Sequence, residues 1–147
     1  MMSKLPAPGE RPYWVDQLDL MIEQIRLDCS DLDWSWTQGG CYAFADALSK
    51  AHNGELWGFC AFDDFSGDFP VHHAVVKIGG QFFDYSGVLD VQQYAKDLEN
   101  ETGDVIELRS KDDELVYWFT DDCLSDQQMK RLNDAFSTNK QRARPRN

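Results

Sequence analysis

The sequence predicts an α+β domain in which helices come first and a small antiparallel sheet follows, with the second helix packed on it. Three observations carry this. Apolar side chains recur at helical spacing from Tyr13 to about Asp28, and again from Cys41 to Leu48. Runs rich in strand formers come next, LWGFCAF (Leu56 to Phe62) and HHAVVKIGGQFFDY (His72 to Tyr85), the second folding back at Gly79-Gly80 as a hairpin. Two helices followed by strands with short helices between them argue against a parallel sheet of βαβ units.

Each element has its own signal. Residues 1–12 carry Pro6, Pro8, Gly9 and Pro12 and read as a flexible leader. The first helix turns Trp14, Leu18, Met21, Ile22 and Ile25 inward, with Asp16, Asp19 and Glu23 on the other face. A loop through Ser30, Asp31, Asp33, Trp34 and Trp36 leads to Gly39-Gly40. The helix from Cys41 has Phe44, Ala45, Ala47 and Leu48 as its apolar set and closes at Asn53-Gly54. DDFSGDFP (Asp63 to Pro70) reads as a turn-rich loop, either one wall of a cleft or a solvated loop anchored by its two phenylalanines. After the hairpin, Ser86-Gly87 ends the strand, and Asp90 to Asn100 reads as a short helix with Val91, Tyr94, Ala95 and Leu98 inward. DVIELR (Asp104 to Arg109) and ELVYWFT (Glu114 to Thr120) read as strands. SDQQ (Ser125 to Gln128) matches a capping box for a last helix with Met129, Leu132, Ala135 and Phe136 buried. A single domain over residues 13–137 and a basic flexible tail over 138–147 are expected.

Composition narrows the function. At 147 residues and 42% apolar content the chain can bury a core. Its net charge of -12 is uneven: residues 1–129 hold eight basic and 25 acidic side chains, a balance of -17. Such a body repels nucleic-acid phosphates, so no direct nucleic-acid binding is expected. No apolar run approaches the roughly 20 residues that span a bilayer, and MMSKLPAPGERP lacks the apolar segment of a secretory signal. A cytoplasmic protein without membrane contact is the expectation. Cys29, Cys41, Cys60 and Cys123 are widely spaced with no C-x-x-C, which fits reduced thiols, and no metal or cofactor is expected.

The chemistry concentrates between Trp36 and Asp84. Cys41 follows a Gly-Gly pair at the first turn of a helix, where backbone N–H groups and the helix dipole stabilise a thiolate. The glycines permit unusual dihedrals and close approach of a substrate. The Cys41 N–H is a natural oxyanion donor, and Gln38 is a side-chain candidate for the same hole. A two-residue turn at Gly79-Gly80 pairs Ile78 with Gln81 and Val76 with Phe83. His73 and Asp84 then share a face, within side-chain reach of each other, whereas His72 falls on the more apolar face as a structural histidine.

GGCYAFADAL followed by HHAVVKIGGQFFDY resembles the papain-like cysteine hydrolase superfamily in its broad sense, including transglutaminase-like and NlpC/P60-like enzymes. The resemblance implies a papain-like core, with Cys41 as nucleophile, His73 as general base, Asp84 orienting the imidazole and Gln38 in the oxyanion hole. It also implies a hydrolase or acyltransferase acting on an amide or thioester, as a peptidase, protein deamidase or amidase, with a protein or peptide substrate. The alternative is a non-catalytic acidic binding or inhibitor protein, a nucleic-acid mimic or an inhibitor of a host protein. Its support is the acidic body and the aromatics that read as exposed among acids, Trp34, Trp36, Phe65 and Phe69.

Overall fold

The structure, a computed structural model, describes residues 12–36, 40–118 and 124–142. Helix α1 (Tyr13–Asp28) buries Val15, Leu18, Met21, Ile22 and Ile25, the stripe that three- and four-residue spacing puts on one face. Trp14 sits at the edge of that stripe. Its ring centroid is 6.2 Å from that of Phe83, and a Cβ on Gly79 would come within 2.8 Å of it. The segment expected as a loop is a 3₁₀ helix, Ser30–Ser35. Leu32 draws it into the core, and the Ser35 hydroxyl donates to the Leu32 carbonyl at 2.6 Å. Trp36, expected to be exposed, is buried. It meets Phe44 edge-on at 5.3 Å, stacks on Tyr85 at 6.3 Å and donates its indole N–H to Asp33.

The sheet joins β1 (Glu55–Cys60), β2 (Phe69–Ile78), β3 (Gln81–Asp84), β4 (Gly87–Val88) and β5 (Glu107–Ser110) in the antiparallel order β4-β3-β2-β1-β5. Strand β6 (Val116–Tyr117) runs parallel to the first residues of β2. Strand β2 is longer than the sequence suggests, because it takes Phe69 and Pro70 from the end of the acidic loop. Phe69 is buried there beneath the Arg109 guanidinium, 3.7 Å from the ring centroid, which corrects its reading as an exposed aromatic. The rest of the loop closes on itself through an Asp63–Asp68 bridge.

Helices cover both faces of the sheet. On one side α1, α2 (Cys41–His52) and α4 (Asp126–Arg142) share a core with Ala74, Val76 and Phe83. On the other, α3 (Val91–Thr102) packs Val91, Tyr94, Ala95 and Leu98 against Phe59, Val75 and Phe82. The helix ends follow their local chemistry. Asn53 closes α2 in the left-handed conformation at φ 52°, which asparagine tolerates better than most residues. The Asp90 carboxylate caps α3 by accepting the Gln93 N–H at 3.2 Å. At α4 the capping box is reciprocal: the Ser125 N–H donates to Gln128 Oε1 and the Gln128 N–H to Ser125 Oγ. This helix continues to Arg142, past residue 138 where the tail was expected to begin, and Asn139 ties it to Asp28 of α1. The observed class is therefore α+β, with a small antiparallel sheet between helices. No helix among the described residues is long and apolar enough to cross a membrane.

Candidate functional site

The hairpin has the two-residue turn that its glycines predict. Gly79 and Gly80 adopt φ of 55° and 82°, and the ladder pairs Ile78 with Gln81, Lys77 with Phe82 and Val76 with Phe83. That register brings His73 and Asp84 together. The His73 Nε2–H donates to Asp84 Oδ2 at 2.7 Å, and the two residues are 5% and 3% exposed. Asp84 Oδ1 accepts both the backbone N–H and the hydroxyl of Ser86, at 2.7 and 2.5 Å. The carboxylate is thus fixed from both sides, which a buried charge requires. Sequence reasoning missed Ser86. The signal was available: an aspartate two residues before a serine can accept that serine's N–H as an Asx turn.

The two histidines separate for a reason that the hairpin alone does not contain. Strand β1 pairs Phe59 with His73 and Cys60 with Val71, so the register shifts and His72 is left over as a bulge. His72 is exposed, not set on an apolar face as expected. The bulge also turns Val71 to the side of Gly58, whose missing Cβ leaves room for the valine methyls.

Cys41 comes from the opposite layer. It opens α2 with no acidic side chain in the first turn, so no carboxylate competes for the positive end of the helix. Gly40 before it has an ordinary φ of -64°, so conformational freedom is not why glycine stands there. A Cβ at that position would lie 2.6 to 2.8 Å from Ser35 atoms, two of them backbone, and Gly40 therefore allows the 3₁₀ helix to abut the start of α2. One residue on, the Tyr42 hydroxyl donates to the Val71 carbonyl at 2.7 Å. Strand β3 pairs with β2 no further than Val76, and β6 pairs only with Phe69 and Pro70, so this bond falls where neither strand covers β2. The first turn of α2 meets β2 there, and the Cys41 thiol is near enough to the His73 ring to help raise its pKa. With Nε2 engaged by Asp84, Nδ1 is the nitrogen left for it. Cys41 is 5% exposed.

Burial by itself would lower the His73 pKa, because it disfavours the imidazolium. Hydrogen bonds to Asp84 and Cys41, with the charges of both, outweigh it and push the value up to about 9. Three aromatic rings enclose the imidazole. Tyr94 lies nearly parallel to it at 4.9 Å, Phe59 at 6.3 Å, and Tyr85 stands edge to face at 5.9 Å. Cys29 and Cys60 are fully buried, and burial raises both, Cys60 to about 11.

Gln38 and Gly39 lie outside the described residues, as does Cys123. No group of three or more potential metal ligands gathers among the described residues. A cleft of about 540 Å³ opens beside His72, not beside Cys41, and Asp63, Asp64, Phe65 and Pro70 of the acidic loop line part of it. Comparison with protein-family models, curated proteins and solved structures returns no match.

Proposed function

We propose that the protein is a cysteine-dependent hydrolase or acyltransferase of amide or thioester bonds, built on a papain-like core and acting through Cys41, His73 and Asp84. The observation that supports this most directly is the buried His73–Asp84 bond at 2.7 Å, on an imidazole whose pKa the neighbouring Cys41 thiol also helps to raise. In this reading His73 takes the thiol proton, and the sulfur attacks the carbonyl carbon of the substrate. The N–H of Cys41 donates to the developing oxyanion, with Gln38 as a second candidate donor. The imidazolium protonates the leaving amine or thiol as the carbonyl re-forms, which leaves an acyl group on Cys41 as a thioester. Water or an acceptor amine, deprotonated by His73, attacks that thioester and restores the free thiol. Asp84 holds the ring and balances its positive charge throughout. The substrate is a protein or peptide and the setting cytoplasmic, where thiols stay reduced.

One observation favours the second reading, a non-catalytic acidic binding or inhibitor protein. All three groups are nearly closed off from solvent, while Phe65 is 101% exposed and Trp34 and Phe62 are exposed among acids. Under the enzymatic reading the start of α2 must open to admit a substrate. Mass spectrometry after incubation with a p-nitrophenyl ester separates the two. An acyl adduct confined to Cys41, absent from Cys41→Ala and His73→Ala proteins that remain folded, is expected for the enzyme. Acylation that is absent, or spread equally over Cys29 and Cys60, refutes it.

A further inference from the structure

We infer that Tyr94 is a positioning residue for His73: its ring face holds the imidazole in the plane that meets Asp84 and favours the imidazolium over the neutral ring. This goes beyond the triad and rests on its proposed role only for the kinetic consequence. The geometry singles out Tyr94 among the enclosing rings. At 4.9 Å and an interplanar angle of 25° it presents its face within the range of about 6 Å at which an aromatic quadrupole attracts a cation. Phe59 is also roughly parallel but lies at 6.3 Å, beyond that range. Tyr85 meets His73 edge to face, and the Arg26 guanidinium lies 5.6 Å over the Tyr85 ring.

The placement of Tyr94 is secured independently of the histidine. Its N–H donates to the Asp90 carbonyl at 3.0 Å in the first turn of α3, and the Asp90 side chain caps that turn. Its burial raises the phenol well above its ordinary value, so the hydroxyl stays neutral and the ring acts as a π face. The charged or titratable groups around the stack come from every neighbouring element: Asp84 from β3, Cys41 from α2, Tyr85 after β3 with Arg26 of α1 above it, and Glu101 on α3 itself. All of them remain when position 94 is changed.

The test reads the ring and not only the enzyme. The His73 titration is followed by NMR in the full-length protein, with Tyr94 as it is, as Tyr94→Phe, as Tyr94→Leu, and with pentafluorophenylalanine incorporated at position 94. Tyr94→Phe keeps the π face and should leave the midpoint in place. Pentafluorophenylalanine keeps the shape and reverses the quadrupole, and should lower the midpoint by about 0.5 to 1.5 pH units. Tyr94→Leu should lower it comparably and, where Cys41 acylation is observed, slow the acylation step while the substrate concentration for half-maximal rate stays unchanged. A midpoint that is the same with phenylalanine and pentafluorophenylalanine overturns the proposal, whether or not the leucine variant folds. If no acylation occurs but the midpoint follows the ring, the enzymatic reading fails and the positioning of His73 by Tyr94 stands.

Discussion

The His73–Asp84 pair makes stability depend on pH in a direction that can be worked out in advance. The folded pKa of His73, about 9, lies above its unfolded value near 6.5. The pair therefore stabilises the fold fully below about pH 6.5, and that contribution is lost as pH rises through about 9. A gap of roughly 2.5 pH units corresponds to about 3 kcal/mol, of which about 2 kcal/mol disappears between pH 6 and pH 8. Asp84→Asn removes the largest interaction that raises His73 while keeping an acceptor for the Ser86 N–H. In that variant burial pulls the imidazole down against only the Cys41 contact and the Tyr94 ring face, so the fall between pH 6 and 8 should largely vanish. The assay is urea unfolding of both proteins at pH 6, 7 and 8. The stability difference between them should shrink by about 2 kcal/mol across that range. A difference that stays constant, or grows with pH, refutes the reasoning. Below pH 8, Cys60 and Cys29 do not confuse the result, because burial raises both and their ionisation enters at higher pH.

Other outcomes follow from the same geometry. At pH 7 iodoacetamide should modify Cys41 at least about ten-fold faster than Cys60, whose pKa of about 11 leaves roughly one thiolate in 10,000, and peptide mapping of a time course decides this. His73→Ala should abolish the preferential reaction at Cys41, whereas His72→Ala, at an exposed bulge, should leave it intact and change unfolding free energy by less than about 0.5 kcal/mol. Gly40→Ala should cost about 1–3 kcal/mol in urea unfolding, because the new methyl meets the Ser35 backbone, and should slow Cys41 alkylation by shifting the start of α2. Ser125→Ala should cost about 1 kcal/mol in the same assay by breaking the reciprocal cap, with no effect on the thiol.

What could be read from the sequence was what short-range chemistry decides. A two-residue glycine turn fixes the hairpin register, and the register puts His73 beside Asp84 without reference to the rest of the chain. The periodicity of α1 and α2, the Asn53 terminus and the Ser125 cap are local in the same sense. What escaped depends on residues distant in sequence. The bulge at His72 is set by how β1 pairs with β2, so the hairpin pattern could not show that His72 faces solvent. Trp36 stands among aspartates in the sequence, yet its burial depends on Phe44 and on Tyr85, 49 positions later. Tyr94 was legible as an inward residue of α3, but its meeting with His73 is a fact about two layers of the fold. Gly40 was noticed for the wrong reason. The clash it avoids is with Ser35, on a segment whose helical turn had been read as a loop.

The bulge gives the adjacent pair of imidazoles a meaning that neither has alone. Side-chain chemistry alone does not distinguish His72 from His73: the hairpin register sets His73 beside Asp84, and the pairing of β1 with β2 leaves His72 as the bulge. Moving the irregularity one residue along β2 would pair His72 with Phe59 and leave every other partnership between β1 and β2 as it is. His73 holds the inner position, bonded to Asp84 and enclosed by aromatic rings, and that bond selects one of the two registers open to the bulge. Weakening the Asp84 bond should therefore do more than loosen a ring: it removes the anchor on β3 that tells one histidine of the pair from the other.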